Sequence, residues 1–370
     1  MLAILSSAAL LAQDAPLPKG SVNIVLPNDS PVVLIGSSTD ESRTALRGAA
    51  LMLDLHMSLT LRNAGVNRIH GITLRVVAQE VTLGGKASVA MPSLNIGPGE
   101  VFPVRIDAQL MRPTQLGAGP LVEVSLDGVL FQDLSFYGPD RLNSRRIMTA
   151  MEKEAQRDRD HFKRILAQGP QALQQAIFAS LNRQAQPRLD VRVIPHGPAV
   201  TSAAVAPEQA QKFAFLQMPD SPVQPVQGWA MVSGNEARAP RIEVKNNSGK
   251  AVKYVELGWL VRDQSGRQYM AASLPASDTK LYLPAGKSAQ VGQETQLTFS
   301  RDKKPVNVQG MTGFVSQVEF VDGQVWVPNR EDLSRVMLDQ VMPPSAEEQR
   351  LSDIYRTRGL NGLIEELKKF

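Results

Sequence analysis

The segment Leu53-Asp-Leu55-His-Met57-Ser-Leu59-Thr-Leu61 alternates apolar and polar side chains without a break. A period of two sends successive side chains to opposite faces, so this stretch predicts a β-strand with one buried face. Ile72-Thr-Leu74-Arg-Val76 keeps the period after Asn63-Ala-Gly65, residues that take up turn geometry at little cost. The plan returns later, where Ile242-Glu-Val244 leads into Asn246-Asn-Ser-Gly249 and then Val252, Val255, Leu257, Trp259 and Val261. Setting Asn63 on Asn246 superposes Ile69 on Val252, Ile72 on Val255 and Leu74 on Leu257 without a gap. A chain with this doubled alternation must bury two sets of strand faces, which points to layered sheets built twice.

The parallel extends downstream. Gly97-Pro-Gly99 precedes Val101-Phe-Pro-Val-Arg-Ile106, and Pro284-Ala-Gly286 precedes Ala289-Gln-Val291. Asp127-Gly128 stands between Leu121–Val124 and Val129–Phe131, and Asp322-Gly323 between Val318–Phe320 and Val325–Val327. Asp-Gly accepts the positive φ angles of a two-residue hairpin turn, so each pair predicts a hairpin. On that alignment Phe131 and Trp326 fill one core position twice. Trp259 shares parity with Leu257 and Val261 and belongs to the core, whereas Trp229 has no counterpart and is the candidate for an exposed contact.

Each half then turns helical. Ser144 is the expected N-cap of a helix with Ile147, Met148, Met151, Ala155, Phe162 and Ile165 as its apolar stripe. Gly169-Pro170 ends it and starts a second helix near Gln171–Arg183, with Leu173, Ile177 and Leu181 on one face. Ser345-Ala-Glu-Glu348 reads as a capping box. Beyond it Leu351, Ile354 and Tyr355 form a stripe, Gly359 interrupts, and Leu363, Ile364, Leu367 and Phe370 form another. That face must dock on its own domain or on a partner, which makes Trp229, Tyr355, Leu363, Leu367 and Phe370 the candidate partner contacts. Glu154-x-Gln156-Arg157-x-x-Asp160-x-Phe162-Lys163 and Glu347-x-Gln349-Arg350-x-x-Asp353-x-Tyr355-Arg356 share one pattern of alternating charge three residues apart. It reads as a solvated helix face, with a repeated docking surface as the alternative.

Met1 to Ala12 is uncharged and mostly apolar and gives way to Gln13, Asp14 and a Pro-containing stretch, as in a secretory signal, although no Lys or Arg precedes Lys19. It is too short to span a bilayer, and no other apolar run is long enough to do so. The expected organisation is a signal segment over 1–13, a β domain over 21–136, a helical segment over 140–184, a linker plus second β domain over 186–330, and C-terminal helices over 331–370. Leu189–Ile194 reads as a strand resembling Val22–Val25, with roughly 196–225 as a long loop.

The supply of catalytic groups is thin. His56, His70, His161 and His196 are dispersed, without zinc-ligand spacing, and there is no Cys to ligate metal or act as nucleophile. No phosphate-binding glycine loop or nucleophile elbow is present. His56 is out of phase with the apolar residues of its strand and so faces outward, while a pair such as Asp127 with Glu123 leaves acid and base work open. No cofactor or metal is expected. Net charge is +4 with both signs interleaved, including along Arg141–Arg164, which gives no basic face for nucleic acid.

Short alternating strands, an Asn/Gly turn and a Pro-Gly loop before the next strand resemble bacterial immunoglobulin-like and FxLyD-type β-sandwich modules, over about 22–136 and 189–328. The resemblance implies a mainly β fold of two tandem antiparallel sandwiches, each followed by α-helices, and brings no catalytic residues. The expected function is that of a secreted or periplasmic, non-catalytic binding or scaffold protein with a protein partner in the cell envelope. A carbohydrate-active or hydrolytic protein with an interdomain carboxylate site, and a cytoplasmic adaptor, are the alternatives.

Overall fold

The computed structural model describes residues 15–114, 119–184, 189–195, 209–275, 281–292 and 295–370. The chain is mainly β, with antiparallel and mixed sheets and a few helices, and divides into two compact units, residues 1–152 and 153–370. The expected signal segment, the boundary near residue 186 and the first part of the expected linker lie outside the described residues.

The first unit contains β1 (Ala15–Pro16), β2 (Val22–Val25), β3 (Val32–Ser38), β4 (Arg43–Arg47), β5 (Ala50–Asn63), β6 (Ile69–Val77), β7 (Lys86–Met91), β8 (Val101–Pro113), β9 (Val122–Phe131) and β10 (Phe136–Tyr137). One sheet is centred on β5, which pairs with β8 along its length on one edge. Its other edge is shared by β4 near Ala50–Asp54 and β3 near Ser58–Asn63. The second sheet runs β7-β6-β9, with β10 antiparallel and β2 parallel on the far edge of β9. The alternate residues Leu53, Leu55, Met57, Leu59 and Leu61 face Ile72, Leu74, Val76 and Val124 in one core. Burying each such side chain stabilises the layers by roughly 1.5–3 kcal/mol, so the period-two pattern fixes which face is inside.

Helix α1 (Ser144–Leu166) runs through the division between the units. The second unit continues with α2 (Pro170–Gln184), β11 (Asp190–Pro195), β12 (Gln209–Lys212), β13 (Ala214–Phe215), β14 (Val223–Ser233), β15 (Glu236–Asn246), β16 (Val252–Asp263) and β17 (Gln268–Pro275). There follow β18 (Ser288–Gly292), β19 (Thr295–Arg301), β20 (Lys304–Pro305), β21 (Val308–Phe320), β22 (Val325–Trp326), α3 (Arg330–Arg335), α4 (Leu338–Val341) and α5 (Ala346–Leu367). Strand β15 is flanked by β14 on one edge and by β18 and β19 on the other, while β17-β16-β21 form the facing sheet. Strand β13 pairs parallel with β21, as β2 does with β9.

The likeness of the two units reaches individual hydrogen bonds. Asn63 and Asn246 are both fully buried, and each Nδ2 donates to the carbonyl four residues on, Asn67 at 2.9 Å and Lys250 at 2.8 Å. Each also donates to the start of the following Pro/Gly loop, Ile96 at 3.2 Å and Leu283 at 3.0 Å, and accepts from the amide two residues on. Their backbone amides donate to Glu100 and Lys287, and their carbonyls accept from Gly99 and Gly286, both at positive φ. The β6–β9 pairing bulges at Asp127, and the β16–β21 pairing bulges at Ser316 in the matching place.

Several expectations change. Asp127-Gly128 is not a hairpin turn, because β9 runs straight through it. Asp127 is the extra residue of the bulge, 1% exposed, and its carboxylate accepts from the Arg141 and Leu142 amides and the Ser144 hydroxyl at 2.9, 3.1 and 2.5 Å. That leaves it no part in acid and base work with Glu123, and Ser144 serves Asp127 as the first helical residue rather than as an N-cap. Asp322-Gly323 does turn β21 into β22, and its counterpart is Asp133-Leu134: Phe131 and Phe320 donate to Ser135 and Gln324 in the same way. Phe131 therefore matches Phe320, and Trp326 matches Tyr137. The sequence between 209 and 225 is not loop alone but holds β12, β13 and the start of β14, and β13, not β11, is the partner of β2 in the scheme. Ile147 is 40% exposed, whereas Met148, Ala155 and Phe162 are buried as expected.

In the second unit Phe162 of α1, Leu173 and Ile177 of α2, and Leu351, Leu363 and Leu367 of α5 form a separate helical core. Helix α5 kinks at Gly359, φ 69° and ψ −171°, a conformation that favours glycine. A fourth cluster, Met218, Leu260, Phe314, Leu333 and Leu338, seats α3 and α4 against strand side chains.

Candidate functional site

In the first unit β3 leaves the edge of β5 where β4 takes over, and the gap falls beside His56. There the buried Ser42 hydroxyl accepts from the His56 amide and donates to its carbonyl, both at 2.9 Å, replacing ladder bonds. The odd parity of His56 turns its imidazole outward, opposite Asp107 on β8. Nδ1 lies 2.7 Å from Asp107 and Nε2 3.4 Å from Asp54, and Arg105 Nε holds the other Asp107 oxygen at 2.9 Å. Arg105 also reaches Glu41 at 3.2 Å. The hydrogen bond to Asp107, then the charge of Asp54, holds the imidazole above its ordinary pKa and favours its charged form. Each ring nitrogen faces a carboxylate, and the five side chains form a strip of alternating charge. A shallow hollow of about 170 Å³, lined by Arg43, Arg47, Met52, Asp54 and Gln109, adjoins it.

The second unit holds a different constellation. The charge pattern expected to be a solvated face is instead partly buried. Glu347 is 0% exposed and bridges to Arg350 at 2.8 Å and Arg159 at 3.5 Å, and Arg350 reaches Glu366 at 2.6 Å. Asp353 and Arg356 pair in the open. Asp158, fully buried on α1, accepts from Arg157 at 2.9 and 3.1 Å and lies 3.5 Å from Arg330 of α3. The capping box is half formed: the Ser345 hydroxyl accepts from the Glu348 amide at 3.1 Å, but the Glu348 carboxylate pairs with Arg183 at 2.8 Å and Arg330 at 3.0 Å. These groups line a cavity of about 180 Å³ with Glu154, Asp339, Leu333, Met342 and Pro343. Burial raises the Glu154 pKa, only partly countered by the charge of Arg157, and Asp158 and Glu256 raise it further.

Of the sequence candidates, Leu363 and Leu367 are buried in their own unit and are not available to a partner. Tyr355 is half-buried, edge-on to Phe178 at 5.6 Å, and its hydroxyl accepts from Gln174 at 2.9 Å. Phe370 lies under the Arg159 and Arg350 guanidinium groups, 4.2 and 5.5 Å from its centroid. Trp229 alone of the five is exposed, at 40%, while Trp259 is buried. His70 is buried 3.1 Å from Glu152, His161 is depressed by burial and then by Arg330, and His196 lies outside the described residues. The offset pattern signalled Glu154 and Arg157, but Arg183, Arg330 and Asp339 reach the cavity only through tertiary packing.

No family model and no curated protein matches the chain. Among solved structures it is similar to a hypothetical protein from Peptoclostridium difficile 630, at 12% identity over 37% of this chain and 99% of that one, with a TM-score of 0.21. A Northeast Structural Genomics Consortium target matches at 12% identity over 39% of this chain and 80% of that one, with a TM-score of 0.18. A beta-glucosidase from Kluyveromyces marxianus matches at 9% identity over 72% and 45%, with a TM-score of 0.16. At these scores the likeness carries no argument. Among the described residues no helix is long and apolar enough to cross a membrane, and no group of three or more His, Asp or Glu is arranged to hold a metal ion.

Proposed function

We propose that the chain is a secreted or periplasmic binding protein made of two immunoglobulin-like sandwiches with appended helices, and that it recognises a protein partner. The apolar N-terminal segment supports the location, and the doubled strand plan with its two layered cores supports the modules. The observation that carries the recognition is Trp229. It projects from the outer face of β14, opposite the buried Ala230 and Val232, and pairs in register with Lys212 of β12 and Arg241 of β15. Trp and Arg are among the residue types enriched at interface hot spots. In the first unit Val81 and Leu83, on the β6–β7 connection, are 88% and 91% exposed. Crosslinking in an envelope fraction tests the reading: Trp229→Ala is expected to lose the wild-type adduct at unchanged melting temperature. Equal adducts from the two chains would end this assignment, and loss of binding to a glycan array in place of a protein adduct would favour the carbohydrate alternative.

A further inference from the structure

We infer that the cavity lined by Glu154, Asp339 and the Arg157–Asp158–Arg330–Glu348 network is a binding site for a guanidinium or ammonium group carried on a short apolar stem. This goes beyond recognition through Trp229 and rests on different residues.

The argument begins with an accounting of donors and acceptors. Arg157, Arg183 and Arg330 already donate to Asp158 or Glu348, and with Glu154 and Asp339 the lining sets four carboxylates against these three arginines. Among the described residues Glu154 makes no hydrogen bond and no ion pair, although it is half-buried and lines the cavity. Asp339 accepts from the Ser334 hydroxyl at 2.8 Å through one oxygen, and its other oxygen is buried with no partner. A buried acceptor left unmatched is costly, and a charged one more so. The unmet need of the cavity is therefore for N–H donors carrying positive charge. Leu333, Met342 and Pro343 supply the apolar wall along which methylenes can lie. At about 180 Å³ the space far exceeds a single water and suits a small alkylguanidine. Two carboxylates without a third ligand make a poor metal site, which sets organic cations ahead of ions.

The same chemistry comes from a free small amine or from a basic side chain of a peptide, and titration calorimetry on the full chain separates the two. Agmatine and the tripeptide Gly-Arg-Gly are the probes, and butylurea, of similar shape but uncharged, is the control. Wild type is expected to bind at least one cationic probe and not butylurea; agmatine alone assigns a free amine, the tripeptide alone a peptide side chain. Glu154→Gln keeps size and fold and is expected to weaken binding about tenfold or more, through loss of the charge-assisted hydrogen bond. Asp339→Asn provides the second variant, with a smaller loss, should the first melt early. No binding by wild type, undiminished binding by both variants, or equal binding of butylurea overturns the assignment.

Discussion

Glu154 and His56 are both held above their ordinary pKa, for opposite reasons and with one consequence for pH. Burial raises Glu154, offset in part by Arg157 and reinforced by Asp158 on its own helix and by Glu256 on β16. A carboxyl raised in the folded state favours folding when protonated. Its contribution is fully present below the unfolded value near 4.5 and is lost as pH rises through the folded pKa. Glu154→Gln removes that loss, so at neutral pH without ligand its urea unfolding midpoint should exceed that of wild type; a lower midpoint would show that the carboxylate is satisfied. His56 is raised by its bond to Asp107 and then by Asp54, so its stabilisation is present below 6.5 and lost as pH rises through the folded value. An NMR titration should place the imidazole midpoint above 6.5, and Asp107→Asn should bring it down. An unmoved midpoint would remove Asp107 as the main cause.

The elements show where sequence pattern was legible and where it was not. Parity along β5 named the buried residues and turned His56 outward, because a strand has only two faces. Asp127-Gly128 misled, since the same dipeptide that opens a hairpin also suits a bulge, and only the distant Ser144, Arg141 and Leu142 reveal which. The true turn at Asp133-Leu134 was hidden because Leu134 holds a φ of 65° where the other unit has Gly323 at 84°. Leu134→Gly should therefore leave stability unchanged or raise it, and Gly323→Ala should cost about 1 kcal/mol, as a left-handed backbone with a Cβ demands. Thermal unfolding of the two variants checks the asymmetry, and equal costs would refute it. Gly258 is constrained by space instead: an added Cβ would run into the Phe314 ring, so Gly258→Ala should lower stability by about 1–3 kcal/mol.

Across the whole molecule the doubled plan was readable because what repeats is local: an Asn before a turn, apolar residues two apart, and a glycine closing the next loop. The charged cavity was not readable, because its arginines and carboxylates come from α1 through α5 and acquire meaning only when packed. The offset of 183 that sets Asn63 on Asn246 reappears in the matched bonds of their buried amides, to Asn67 and Ile96 in one unit and to Lys250 and Leu283 in the other. In each place the side chain ties a turn to the start of the Pro/Gly loop, so its loss removes three hydrogen bonds and takes the side-chain donor from the Asn67 or Lys250 carbonyl. Asn63→Ala and Asn246→Ala should each destabilise the chain, by about 1–3 kcal/mol for an orphaned buried group. Urea unfolding followed by circular dichroism measures both. Comparable losses are expected if the two amides perform one architectural task, and a costly substitution in one unit beside a neutral one in the other would mean that the matching bonds do not carry matching weight.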